Sequence, residues 1–140
     1  MQLALSREEL SEFLAEVFPQ VWDQFEIEDL TETTVRVRLR VDDQHLRPGG
    51  TVSGPSMFAL ADVAIYALVL ARIGRQALAV TTNCSIDFMR KPAANTDLVA
   101  ECRLLKLGQA LAVGDVLMMS VGSEKPVARA SLTYSIPPTR

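Results

Sequence analysis

One carboxylate stands out because its neighbours in the sequence are apolar. Asp62 lies in the stretch from Met57 to Ala71, where all the remaining residues are apolar. A buried, charged and unpaired carboxylate costs several kcal/mol, and removal of water makes it a stronger base. Two interpretations follow. Asp62 is a catalytic base, or it is a structural residue whose partner is Tyr66, one helical turn further on, or a group from a partner chain.

A possible oxyanion donor lies at the start of the same stretch, in Ser53-Gly54-Pro55. The N–H of Gly54, at the positive end of a helix dipole, suits a carbonyl oxygen that gains charge during a reaction. Gly54 and Asp62 are eight residues apart, about 12 Å along a helix, whereas a base works within roughly 3 Å of its proton. If both groups act on one carbonyl, they come from two chains across a dimer interface.

Positioning these groups requires a helix, and the residues from Ser53 to Arg75 predict one of about five turns. Ser53 suits the N-cap, Pro55 the first turn and Gly74 the C-terminal end. A helix that is apolar on all sides is a buried one, and this stretch is shorter than the roughly 20 apolar residues that span a bilayer. We therefore expect a core helix and no membrane segment.

Segments with a two-residue period surround this helix and predict strands. Val35 to Val41 alternates apolar residues with Arg36, Arg38 and Arg40, which we interpret as the solvated face of a half-buried strand. Short turns between the later segments predict an antiparallel meander. The other strand candidates begin at Phe25 or lie within residues 77–89, 98–107, 110–121 and 127–136.

The predicted fold class is therefore α+β, with an antiparallel sheet of about six strands wrapped around one long central helix. The capping box of Ser6 and Glu9 adds a short N-terminal helix, which we expect to pack against the sheet edge. The length of 140 residues suits a single domain spanning residues 1–140. One sheet cannot cover a helix on every side, so the remaining apolar surface predicts a dimer.

Composition excludes several other classes of protein. The net charge of −3 and the absence of a Lys/Arg cluster give no basis for nucleic-acid binding. The N-terminal sequence MQLALSREEL has no signal-peptide character, so we expect a cytoplasmic protein. Cys84 and Cys102 lack metal-ligand or redox spacing and are expected to be reduced and buried.

Three segments resemble the hotdog-fold thioesterases of the phenylacetate-degradation (PaaI-like) type. They are HLRPGGTVSGPSMFALADVAIYAL, TTNCSIDFMRKPA and LKLGQALAVGDVLMMSVGSEKPVARASLTYSI, and the similarity covers about two-thirds of the chain. Its most specific part is the spacing from Gly54 to Asp62, followed by the strand that ends in Phe-Met-Arg-Lys-Pro. The resemblance implies an enzyme that hydrolyses acyl-CoA thioesters without metal or cofactor, as a homodimer or a dimer of dimers.

The resemblance also implies roles for individual residues. Asp62 matches the catalytic carboxylate, which acts as a base on water or as a nucleophile. Gly54 matches the glycine whose N–H polarises the thioester carbonyl, and Thr81 matches a Ser or Thr that holds the attacking water. Arg90 and Lys91 lie where basic side chains meet the phosphates of CoA, although a solvated pair remains an alternative.

The chain departs from the family pattern at the positions before the helix. Arg47 stands where the family has Asn, Ser53 where it has His, and Pro55 where it has a second Gly. Proline fits a helix start and leaves the Gly54 N–H in place. The remaining candidate substrate-binding residues are Arg47, Ser53, Phe58 and Tyr66; Met57 and Met89 could also line a pocket, although these apolar side chains are equally good core residues.

The departures leave two alternatives to a thioesterase. A hotdog protein that binds acyl-CoA for regulation would keep the pocket without turnover, which the changes at Arg47 and Ser53 favour. A hydratase would need a His paired with a carboxylate, and His45 is the only histidine. We expect His45 to lie in an exposed loop.

Overall fold

The computed structural model describes residues 3–138, in which a six-stranded antiparallel sheet wraps around one long helix. The α+β hotdog arrangement predicted from the sequence is confirmed. The helices are α1 (Arg7–Val17), α2 (Pro19–Trp22) and α3 (Gly54–Ile73), with a single 3₁₀ turn at Asp43–His45. The strands are β1 (Phe25–Leu30), β2 (Thr34–Leu39), β3 (Val80–Phe88), β4 (Leu98–Leu107), β5 (Leu111–Ser120) and β6 (Ala128–Ser135).

The strand order in the sheet is β1-β2-β4-β5-β6-β3. Strands β4, β5 and β6 form the predicted meander, but the expectation that β3 belongs to it is wrong, because β3 lies at the far edge beside β6. The helix between β2 and β3 explains the difference. Since α3 contacts every strand from β2 across to β3, the chain leaves it at the opposite edge of the sheet, and β2 takes the place beside β4.

The long helix begins and ends where the sequence predicts. Ser53 is the N-cap, and its Oγ accepts a hydrogen bond from the Ser56 N–H at 3.3 Å. Pro55 lies in the first turn, and Gly74 ends the helix with φ +91°, a value that favours glycine. By length and composition the helix could cross a membrane, but buried core helices often have the same length and composition. Here the sheet covers most of the helix.

Burial of α3 is incomplete along one line of residues. Pro55, Phe58 and Ala59 are exposed and Asp62 is half-buried, and these four occupy positions i, i+3, i+4 and i+7 of one helix face. We call these four residues the open stripe of α3. From Leu60 to Ala71 all residues except Asp62 are buried. The expected core helix is therefore confirmed except on this stripe.

The N-terminal helix packs as the sequence predicts. Ser6 and Glu9 form both hydrogen bonds of the capping box, at 3.1 and 2.9 Å. Leu10 and Leu14 are buried, and α1 contacts β1, the strand at the sheet edge, as well as α3.

On β2, Arg36 and Arg38 pair with neighbouring carboxylates and so form a solvated, neutralised face; the pairs are Arg36 with Glu28 and Glu101, and Arg38 with Glu28 and Asp97.

His45 does not lie in an exposed loop, which corrects the expectation from the sequence. Only 4% of the residue is exposed. Its Nδ1 accepts a hydrogen bond from the Asp42 N–H at 2.8 Å, and its Nε2 lies 2.6 Å from Oε1 of Gln24. Both ring nitrogens are therefore used to hold the loop before α3 against the chain that enters β1, and His45 has a structural role.

Gly114 sets how closely α3 approaches β5. A Cβ atom built on Gly114 would lie 2.6 Å from Cδ1 of Ile65 and 2.9 Å from the carbonyl oxygen of Arg103. Real Cβ atoms essentially never make contacts this short. The absence of a side chain at this position therefore allows the helix to rest directly on the sheet.

We predict that Gly114→Ala destabilises the protein, because the methyl group would overpack a dense core. The expected loss is about 1–3 kcal/mol in the free energy of unfolding, measured by urea denaturation. Gly108→Ala is the matched control, since its Cβ would meet neighbours at 3.4 Å or more. Equal unfolding midpoints for the two variants would contradict the role assigned to Gly114.

Candidate active site

The Asp62 carboxylate is held by two hydroxyl groups from the sheet. Its Oδ1 accepts a hydrogen bond from Thr81 Oγ1 at 2.5 Å and another from the Tyr134 hydroxyl at 2.7 Å. The same hydroxyl lies 3.0 Å from the main-chain carbonyl oxygen of Asp62. Within residues 3–138, no hydrogen bond reaches the second oxygen, Oδ2. One carboxylate oxygen is therefore fixed and the other is free to meet a ligand.

A β-bulge in β3 brings Thr81 to this position. Thr81 is opposite Tyr134 and Cys84 is opposite Leu132, so three steps along β3 match two along β6. Regular alternation would place Thr81 and Cys84 on opposite faces of the sheet. Because of the bulge, both side chains face α3. Bulges near functional sites redirect side chains in this way.

Tyr134 is a candidate site residue that the sequence analysis missed. It is 3% exposed, and alternation along β6 places it on the helix side. Tyr66, the partner considered for Asp62 from the sequence, instead donates to the carbonyl oxygen of Ala77 at 2.7 Å. The only signal for Tyr134 in the sequence is a phenol at a core position, where a buried hydroxyl needs a hydrogen-bond partner.

The electrostatics keep the groups around Asp62 neutral. Burial, together with the charge of Asp62, raises the pKa of the Tyr134 phenol, so Tyr134 remains a hydrogen-bond donor. Burial and the same charge raise the pKa of the Cys84 thiol, which disfavours the reactive thiolate. Cys102 is buried as expected, whereas Cys84 is only partly buried; both thiols are free. The hydroxyl and thiol groups beside Asp62 are therefore neutral.

At the start of α3, one backbone donor remains unpaired. Pro55 has no N–H, the Ser56 N–H bonds to the Ser53 side chain, and the Met57 N–H bonds to the Ser53 carbonyl oxygen. No acceptor in the described part of the chain pairs with the Gly54 N–H. This N–H is available for a ligand oxygen at the positive end of the helix dipole.

Apolar side chains surround Gly54. The Phe88 ring packs on the glycine so closely that a Cβ at position 54 would lie 3.3 Å from its Cζ. Phe88, Phe58 and Met89 are each at least 40% exposed. Tyr66 is buried and stacks on Tyr134, with ring centroids 5.9 Å apart. Phe58, four residues after Gly54 on the same helix, therefore lies on the open surface, and Tyr66 lies in the core.

The remaining candidate residues lie at the surface. Arg47 is exposed and is the first residue of a tight turn that continues through Pro48 and Gly49. The Gly50 N–H closes this turn by donating to the Arg47 carbonyl oxygen at 3.0 Å. Gly49 has φ +100°, as a type II turn requires at this position. Two basic residues follow β3: exposed Lys91, and Arg90, whose guanidinium donates to the Pro126 carbonyl oxygen at 2.7 Å. No cluster of three or more His, Cys, Asp or Glu side chains that could bind a metal occurs among the described residues.

The two candidate reactive groups of one chain lie apart. Gly54 and Asp62 belong to the same uninterrupted helix, and their eight-residue separation is about 12 Å along its axis. β3 follows this half of the helix in the opposite direction, with Phe88 against Gly54 and Thr81 against Asp62. The structure thus has an oxyanion donor at one end of the open stripe and a held carboxylate at the other.

Comparisons of this chain with known proteins agree on one family. The family model described as "Thioesterase superfamily" matches residues 49–127. A Silicibacter sp. TM1040 protein described as a thioesterase is 61% identical, with a TM-score of 0.93 over 99% of this chain and 96% of that one. A single-residue variant of the phenylacetic acid degradation protein PaaI from Thermus thermophilus is 25% identical, with a TM-score of 0.71 over 85% of this chain and 99% of that one.

A curated relative agrees with this result. It is a Pseudomonas aeruginosa protein that carries the name of an esterase, and it is 34% identical over 102 residues, which are 72% of this chain and 74% of the relative. The matched segment of the family model includes the helix start, Asp62 and Thr81. The chain therefore belongs to the thioesterase superfamily and has the hotdog fold of the PaaI-type proteins.

Proposed function

We propose that this protein hydrolyses an acyl-CoA thioester to a free acid and CoA. The observation that carries the proposal is the Asp62 carboxylate, whose Oδ1 is held by Thr81 and Tyr134 while Oδ2 stays free. A carboxylate held in this way is suited to act on water or on a carbonyl carbon. Membership in the thioesterase superfamily supports a thioester as the substrate.

The proposed active site is shared between two subunits. Asp62 of one chain and Gly54 of the partner subunit act on one carbonyl, because the two groups of a single helix lie about 12 Å apart. The outer edge of β3 is unpaired in the sheet. Around it, Leu78 is 81% exposed and Val80 is 56% exposed. An open strand edge with exposed apolar side chains favours pairing with a second copy.

Two-fold symmetry then explains how the two groups meet. When two copies of β3 pair antiparallel about a two-fold axis, the Phe88 end of each strand lies beside the Val80 end of the other. Phe88 marks the Gly54 end of the open stripe and Thr81 marks the Asp62 end. The pairing therefore brings the helix start of each subunit towards the carboxylate of the other.

The chemistry follows from these positions. The thioester carbonyl oxygen accepts a hydrogen bond from Gly54 of the partner subunit, which stabilises the negative charge that develops there. Oδ2 of Asp62 removes a proton from water as the water oxygen attacks the carbonyl carbon. The carbon–sulfur bond then breaks, and the departing thiolate receives that proton to give CoA and the free acid. Alternatively, Oδ2 attacks the carbonyl carbon directly, and the carbon–sulfur bond breaks to release the CoA thiolate. Water then hydrolyses the resulting mixed anhydride, which restores the Asp62 carboxylate, releases the free acid and supplies the proton that converts the thiolate to CoA.

Thr81 and the basic residues have supporting roles in this proposal. Because the Thr81 hydroxyl donates to Asp62, it can contact the attacking water only as an acceptor. Arg90 and Lys91 are exposed just after β3, and these cations are suited to meet the phosphates of CoA; Arg90 keeps one guanidinium N–H on the Pro126 carbonyl oxygen. Phe58 and Phe88 offer apolar surface beside Gly54 to the acyl or pantetheine part of the substrate.

The first test is thiol release from a panel of acyl-CoA thioesters by the wild type and by Asp62→Asn. The amide keeps the shape of the carboxylate, so folding should be unchanged, while turnover should fall about 100-fold or more because the base is lost. Wild-type turnover in the variant would contradict the mechanism. Tight acyl-CoA binding without thiol release from the wild type would indicate the regulatory binding protein instead.

The second test is subunit complementation between Asp62→Asn and Gly54→Val. The valine side chain must displace Phe88 and blocks the oxyanion position, so each homodimer should be inactive. A hybrid dimer isolated with two affinity tags contains one intact site of two, so it should recover roughly half of the wild-type rate. An inactive hybrid would mean that Asp62 and Gly54 act within one chain or do not act together.

A further inference from the structure

Asp62 is an anion that has no cation beside it. No Lys, Arg or His pairs with Asp62 in the described ranges of the chain. The titratable or polar groups that face it are Thr81 and Cys84 from β3 and Tyr134 from β6. All three are neutral groups. Stabilisation of the carboxylate therefore depends on hydroxyl donors.

We propose that Tyr134 is a positioning residue for catalysis, which fixes the Asp62 carboxylate through Oδ1 so that only Oδ2 faces the reacting thioester. This inference rests on the proposed function. Tyr134 itself does not touch the substrate. Its effect is transmitted by the 2.7 Å hydrogen bond from its hydroxyl to Oδ1.

The surroundings of Tyr134 make it a rigid donor. The residue is 3% exposed and its ring stacks against Tyr66, and its strand position is directly opposite Thr81. The raised pKa of the phenol keeps its proton in place at any pH at which the enzyme would work. A donor fixed by packing on one side and by strand pairing on the other can hold the carboxylate in one orientation.

Two donors on one oxygen make the two carboxylate oxygens unequal. Rotation of the carboxylate by half a turn would exchange Oδ1 and Oδ2, but this motion must break the hydrogen bonds to both Thr81 and Tyr134. Tyr134 therefore contributes to the fixed orientation of the base.

The test is Tyr134→Phe, which removes the hydroxyl and keeps the ring. We expect kcat to fall about 10-fold, the effect of one hydrogen bond to a charged group. Because Tyr134 does not touch the substrate, KM should stay close to the wild-type value, so that the loss appears in kcat. Leu132→Val is the control, because it removes one buried methylene from the same face of β6 and should leave kcat unchanged.

A second readout does not depend on turnover. The carboxyl carbon of Asp62 can be assigned by ¹³C NMR through its loss in Asp62→Asn. Its chemical shift at neutral pH should change in Tyr134→Phe and stay in place in Leu132→Val, because only the first variant removes a donor from Oδ1. If Tyr134→Phe does not fold, 3-fluorotyrosine in place of Tyr134 keeps the ring and hydroxyl. Its more acidic phenol is a stronger donor and should also change the chemical shift of the Asp62 carboxyl carbon.

The outcomes separate this inference from the proposed function. A wild type that releases thiol, an inactive Asp62→Asn and a wild-type kcat in Tyr134→Phe would overturn the role of Tyr134 and leave the thioesterase intact. No thiol release from the wild type would overturn the proposed function. The NMR chemical shift would then still decide whether Tyr134 holds the carboxylate, and an unchanged chemical shift in Tyr134→Phe would refute it.

Discussion

The packing of α3 directly on the sheet is the constraint on which the rest of the structure depends. Cδ1 of Ile65 occupies the space where a side chain at Gly114 would be, so the helix approaches β5 more closely than it could with a larger residue at position 114. Asp62 precedes Ile65 by one turn. This close approach therefore brings the carboxylate within hydrogen-bond distance of Tyr134 on β6.

The sheet must also provide polar groups where the helix carries a carboxylate. An apolar sheet face would leave Asp62 half-buried and unpaired, at a cost of several kcal/mol. Thr81 and Tyr134 offset that cost on one oxygen only. Local departures from regular structure, namely a glycine in β5 and a bulge in β3, thus produce a carboxylate that is stabilised and still accessible.

Local patterns predicted much of the fold and part of the site. Ser53 and Gly74 identify the ends of α3 by capping preferences that act within one helical turn. The position of β3 beside β6 and the bulge that turns Thr81 towards α3 depend on contacts between strands far apart in the chain. Tyr134 lies 72 residues from its partner Asp62, so no local spacing connects them. His45 was misjudged for the same reason, since its partner Gln24 precedes β1.

The most direct test of the shared active site is a crystal structure of Asp62→Asn with the acyl-CoA that the wild type hydrolyses best. We predict a dimer in which the thioester carbonyl oxygen accepts a hydrogen bond from Gly54 of the partner subunit, at about 2.7–3.1 Å. Of the two terminal atoms of the amide at position 62, one should bond to Tyr134 and the other should face the carbonyl carbon. A thioester bound away from position 62, or polarised by Gly54 of the same chain, would contradict the account.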